Sequence, residues 1–127
     1  MSKCDLLSII ETVAHPNYSA LYQEIGLVEH KVNSVRKAIA LCKKHQPRFV
    51  VAEFFYAYST NYSGVHKSNL DVLLISIAKY SPVTQLIVLA DKEDAQHWSV
   101  LDPFNQNIAG RLVHPTSRQA MLELLQT

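Results

Sequence analysis

Three polar residues close apolar runs: Glu11 follows Leu6-Leu7-Ser8-Ile9-Ile10, Glu53 follows Phe49-Val50-Val51-Ala52, and His114 follows Arg111-Leu112-Val113. If these runs are parallel strands of one sheet, two carboxylates and an imidazole meet at one end of it. Those are donor types of a transition-metal site. Strand-end carboxylates and imidazoles also face water or hydrogen-bond one another, and that reading needs no ligand.

The remaining reactive residue types carry less pattern. His15, His30, His45, His66 and His97 form no HxH or HExxH spacing and read as scattered surface histidines. Cys4 and Cys42 lie far apart without a CxxC, as two free thiols of a reduced cytoplasmic protein would. Ser59-Thr60-Asn61-Tyr62-Ser63-Gly64 has the composition of a phosphate-holding loop, yet it follows the third apolar run and not the first. An ordinary connecting loop over residues 56–67 is therefore the preferred reading. Phe54, Phe55, Tyr56, Tyr58 and Tyr62 cluster in and before it, either covering the end of the core or offering an interface.

What must position these residues is an alternation of short apolar runs with stretches of helical period, the pattern of parallel strands covered on both faces. After Leu6–Ile10, Asn17 can cap a helix through Ile25, with Gly26 where a helix ends. Residues 4–25 also admit a reading as two helices broken at Pro16. Leu27–Val32 is a second strand. Asn33 or Ser34 then caps a helix bearing Val35, Ala38, Ile39, Leu41 and Cys42, stopped by Pro47. Phe49–Ala52 reads as a central strand. Ser68 with Asp71 opens a helix with Leu70, Leu73, Leu74 and Ile77 at i, i+3, i+4 and i+7, Ser81-Pro82 closes it, and Leu86–Leu89 is a strand. A helix is expected from Asp91 to roughly Val100, a strand over Arg111–His114, and a last helix opened by a Thr116/Gln119 capping box.

Five such units in 127 residues predict one domain spanning 1–127, a three-layer α/β/α sandwich on a five-stranded parallel sheet of order 2-1-3-4-5. Twelve Lys and Arg balance 11 Asp and Glu without long runs, arguing against general affinity for nucleic acid or anionic membrane. No apolar stretch approaches the roughly 20 residues of a membrane span, so no membrane anchor is expected.

From Val32 onward the chain resembles a response-regulator receiver domain. Lys37-Ala38-Ile39-Ala40-Leu41 with Gln46-Pro47-Arg48-Phe49-Val50-Val51-Ala52-Glu53 is similar to that family's second helix and phosphoacceptor strand. Asp71 to Leu74 through Tyr80-Ser81-Pro82 and Leu86 to Ala90 resembles its third helix and fourth strand. Gly110-Arg111-Leu112-Val113-His114-Pro115 resembles its closing strand and Lys-Pro. The resemblance puts Glu53 at the phosphoaccepting Asp, Ala90 at the Thr or Ser, His114 at the Lys, and Glu11 and Thr12 at the acidic pair that binds Mg²⁺.

Phosphoryl transfer needs an in-line nucleophile, a divalent metal and cations around the developing charge. Glu53 is one methylene longer than Asp, Ala90 lacks a hydroxyl, and histidine is not a fixed cation. The resemblance therefore implies a degenerate pocket (Glu11, Thr12, Glu53, Ala90, His114) in a phosphorylation-independent pseudo-receiver: a non-enzymatic signalling or protein–protein interaction module of two-component type, without a cofactor. Glu53 imitating a phosphorylated Asp is a variant of this reading. The expected partner is a protein or a second copy, as a homodimer through residues 91–127 with Trp98, Phe104 and Arg111 as anchors. The alternative is a small flavodoxin-like ligand- or metal-binding domain using the Glu11/Glu53/His114 rim and the 56–67 loop.

Overall fold

The computed structural model describes residues 4–13, 15–56 and 68–126. Its five strands are β1 (Leu6–Ile9), β2 (Glu29–Val32), β3 (Phe49–Glu53), β4 (Gln85–Ala90) and β5 (Ile108–Val113). All pair in parallel in the order β2-β1-β3-β4-β5. Continuous apolar runs suit β1, β3 and β4 because both faces of these strands are covered. Leu7, Ile9, Val50, Ala52, Leu86 and Val88 point to one face, and Leu6, Phe49, Val51, Ile87 and Leu89 to the other. The opening segment is a strand, which removes the two-helix reading of residues 4–25.

On the first face lie α2 (Val35–His45) and α3 (Asp71–Tyr80), through Ala38 and Cys42 of one and Leu73, Leu74 and Ile77 of the other. On the second lie α1 (Ser19–Glu24) and α5 (Arg118–Leu125), through Leu21, Tyr22, Met121 and Leu125. Each fully buried Leu contributes about 1.5–3 kcal/mol of hydrophobic stabilisation.

Local signals explain most boundaries. The Ser34 hydroxyl accepts from the Lys37 amide, and Gln46 closes α2 in the left-handed region at φ 48° before Pro47. The Ser68 hydroxyl donates to Asp71 Oδ1 at 2.7 Å as α3 begins. Gly26, at φ +83°, ends α1 where an L side chain would be strained. At the start of α1 the cap position is Tyr18, one residue later than expected and without a side-chain cap, while Asn17 Oδ1 accepts from the Ser19 amide.

Two expectations need correction. The helix from Asp91 to Val100 is one turn, α4 (Lys92–Ala95), capped by Asp91; a 3-10 segment, Trp98–Asn107, follows and contains Pro103. Proline has no amide hydrogen to give a helix interior, and Trp98 and Phe104 are drawn onto the core at a spacing the tighter turn allows. At α5 the cap is Ser117, whose hydroxyl accepts from the Ala120 amide, while the Thr116 carbonyl accepts from the Tyr18 hydroxyl. No helix among the described residues is long and apolar enough to cross a membrane.

Candidate functional site

The site lies at the carboxyl ends of β1, β3, β4 and β5. The parallel register sets Ile9 beside Ala52, so the next residues of both strands emerge together. Glu53 is 2% exposed, and its partners come almost wholly from the loop after β1. Thr12 Oγ1 donates to Glu53 Oε1 at 2.5 Å, and the backbone amides of Glu11 and Thr12 each donate to Oε2 at 3.2 Å. The His15 imidazole stands 3.7 Å from Oε2, near enough for electrostatic interaction and too far for a hydrogen bond.

The turn just before α3 supplies a second brace. Asn69, buried, accepts from the Phe55 amide at 2.7 Å and donates to the Glu53 carbonyl at 2.7 Å and to Glu11 Oε1 at 3.2 Å. One amide side chain thus joins both acidic residues to the chain leaving β3.

Electrostatics separates the two carboxylates. Burial pushes Glu53 up, but the neighbouring His15, the Thr12 hydroxyl and the Glu11 amide outweigh it and hold the carboxyl below its ordinary value. Burial raises Glu11, the Asn69 hydrogen bond partly offsets this, and the Glu53 charge adds to the rise.

Thr12, Glu53, Ala90, Asp91, Asp94 and His114 line one cleft, a cavity of about 60 Å³. Ala90 presents only a methyl group there, and its carbonyl accepts from the His114 amide at 2.7 Å. No hydrogen bond joins His114 to Glu53 among the described residues. Tyr56 stacks on His97 at 4.0 Å between ring centres, and its amide donates to Asp94 Oδ1 at 3.2 Å, tying the chain after β3 to α4. Residues 57–67, which hold the Ser59–Gly64 stretch and His66, lie outside the described residues.

The metal reading of Glu11, Glu53 and His114 does not fit this geometry. Among the described residues no group of three or more His, Cys, Asp or Glu is placed to hold a metal ion. Thr12, where a second carboxylate would serve Mg²⁺, directs its hydroxyl at Glu53, and both Glu53 oxygens already accept hydrogen bonds.

Two members were missed by sequence reasoning. His15 is no surface residue: its side chain is 3% exposed and faces Glu53. Asn69 carried no motif; its role depends on β3 and α3 meeting in space. The expected interface residues lie farther along. Trp98 and Phe104 are half-buried against the core. Arg111 donates to the Trp98 carbonyl at 2.9 Å, Asp102 Oδ1 at 2.8 Å and Asn105 Oδ1 at 2.6 Å, clasping the 3-10 segment to β5.

No protein-family model and no curated protein matches the sequence. Solved structures do match. The signal receiver domain of a modulated diguanylate cyclase from Desulfovibrio desulfuricans G20 superposes with a TM-score of 0.70 at 10% identity, over 98% of this chain and 92% of that one. A response regulator from Thermotoga maritima gives 0.66 at 12% identity, over 98% and 96%. The FixJ-N crystal structure gives 0.66 at 12%, over 99% and 93%. The chain has the fold of response-regulator receiver domains.

Proposed function

We propose, on the premise of that fold, that the protein is a phosphorylation-independent, receiver-like signalling module that acts through protein contacts and not as an enzyme. The observation that carries this reading is the state of Glu53. Both of its oxygens accept hydrogen bonds from within the chain, so neither is free to attack a phosphorus atom without breaking them. Ala90 offers no hydroxyl to a phosphoryl group, and among the described residues no group of three His, Cys, Asp or Glu is placed to hold a divalent cation. One domain over residues 1–127 in a reduced, cytoplasmic setting belongs to the same reading; Cys4 and Cys42 are both free and buried, and burial pushes the Cys42 thiol up to about 12.

Self-association through residues 91–127 is the contact proposed first. In that surface Arg111 shapes the 3-10 segment, and the half-buried Trp98 and Phe104 present edges to a partner. The ligand-binding alternative gains no support from the cleft, whose 60 Å³ is well below the ~300 Å³ at which small-molecule pockets begin.

The test is incubation with acetyl phosphate and Mg²⁺, read by intact-protein mass. The mass should stay unchanged. Addition of one phosphoryl group that disappears in Glu53→Gln would overturn the proposal.

A further inference from the structure

Away from the strand ends, α2 and α3 pack side by side and share an unusual distribution of charge. α2 carries Arg36, Lys37, Lys43 and Lys44 and no acidic residue, in a chain whose cations and acids are nearly equal, 12 against 11. The helix explains part of this, since Lys43 and Lys44 meet the negative end of its dipole and Lys37 Nζ donates to Asn33 Oδ1 at 3.1 Å.

Tyr80 does not fit that explanation. Lys43 Nζ lies 4.3 Å from the centre of its ring and Lys79 Nζ 5.1 Å from the same centre. Two ammonium groups share one aromatic ring, and no carboxylate among the described residues pairs with either. The ion pairs among the described residues are His15–Glu53, Arg111–Asp102 and Arg118–Glu24, all elsewhere. Like charges so disposed repel, and an incoming anion relieves the repulsion.

Beside these cations the outer side of α3 is apolar. Val72, Ile75 and Lys79 recur at i, i+3 and i+7 along one stripe. Val72 is 43% exposed, Ile75 51%, Tyr80 40% and Val83, just past the helix, 64%. Leu73, Leu74 and Ile77 already supply the buried side of α3, so the core does not need this second stripe.

We propose that the α2–α3 face docks a partner protein through an acidic amphipathic helix, with carboxylates around Lys43, Lys79 and Tyr80 and apolar side chains on Val72 and Ile75. The stripe from Val72 to Lys79 rises about 10 Å, roughly two helical turns, and Tyr80 stands beside its end. A nucleic-acid backbone would meet the cations and leave the aliphatic stripe bare; charge complementarity and apolar complementarity together favour the acidic helix. The inference rests on the chain being an interaction module, and it is independent of the state of Glu53 and of the 91–127 surface.

The probe is a synthetic amphipathic peptide of about 18 residues, roughly five turns, with a leucine face flanked by glutamates. It is titrated into the full, isotope-labelled chain and followed by amide chemical shifts. Shifts should concentrate in 36–44 and 72–83, with a Kd below about 1 mM. Lys43→Glu with Lys79→Glu, and separately Val72→Ser with Ile75→Ser, should each weaken binding about tenfold or more, as should replacing the peptide's Glu by Gln. These positions are exposed, and circular dichroism checks that the variants fold. Absence of shifts at about 1 mM peptide, shifts confined to 91–127, or equal affinity for the Gln peptide would overturn the proposal. So would tighter binding to a short DNA duplex or to phosphatidylserine–phosphatidylcholine vesicles. Phosphorylation by acetyl phosphate alongside intact peptide binding would remove the phosphorylation-independent reading and leave this one standing.

Discussion

The His15 imidazole and the Glu53 carboxylate approach to 3.7 Å, each side chain 3% exposed, across the gap between the loop after β1 and the end of β3. His15 Nδ1 has no hydrogen-bond partner among the described residues, so the contact is electrostatic, and Thr12 provides the short hydrogen bond to the same carboxylate. Together with the Glu11 amide they make Glu53 an anchor for Glu11, Thr12 and His15.

The two acidic residues should titrate in opposite directions. Glu53 is held low in the folded state, so the stability it contributes is present above its unfolded value and is lost as pH falls through its folded value. Glu11 is held high, so its contribution is present below its unfolded value and is lost as pH rises through its folded value. Side-chain carboxyl ¹³C shifts should place the Glu53 midpoint below that of an ordinary glutamate and the Glu11 midpoint above it. Glu53→Gln should flatten the acid-side loss of stability; a Glu53 midpoint above that of Glu11 would refute the assignment.

Asn69→Ala should destabilise the fold by about 2 kcal/mol, because it orphans the Phe55 amide and the Glu53 carbonyl in a buried setting. Asn69→Asp should cost more, since it sets a third carboxylate beside Glu11 and Glu53. Urea unfolding with an unchanged m-value measures both, and a loss under about 0.5 kcal/mol for the alanine variant would show that Asn69 is no brace.

Arg111→Lys keeps the charge and loses the planar fork that reaches Trp98, Asp102 and Asn105 at once. Asp102 is largely exposed, so the ionic part is screened and the expected loss is about 1 kcal/mol, mostly from the Trp98 carbonyl. Trp98 emission should shift to the red as the 3-10 segment loosens. Unchanged emission and stability would mean the clasp contributes nothing.

The layered fold was legible because both faces of β1, β3 and β4 are covered, which forces unbroken apolar runs such as Phe49 to Ala52. Ser34 was readable as a helix cap because capping is a contact within four residues; the Ser68/Asp71 pair marks the turn before α3, but the cap position is Leu70, without a side-chain cap. The segment after Asp91 misled because its helical spacing runs into Pro103, and Trp98 and Phe104 answer to the core beneath them more than to local preference. At the strand ends, Glu11, Thr12 and Glu53 were nameable since each directly follows an apolar run. His15 and Asn69 were not, because their partners lie 38 and 16 positions away from them along the chain, at Glu53, and nothing in a neighbouring residue type marks such a meeting.

The outermost strand on one side of the sheet, β2, has only four residues, Glu-His-Lys-Val, and two of them carry formal charge. A rim this short and this polar is a poor template on which a stranger's backbone could lengthen the sheet. Concentrated solutions, as the titrations above require, should therefore stay free of ribbon-like aggregation nucleated at that margin.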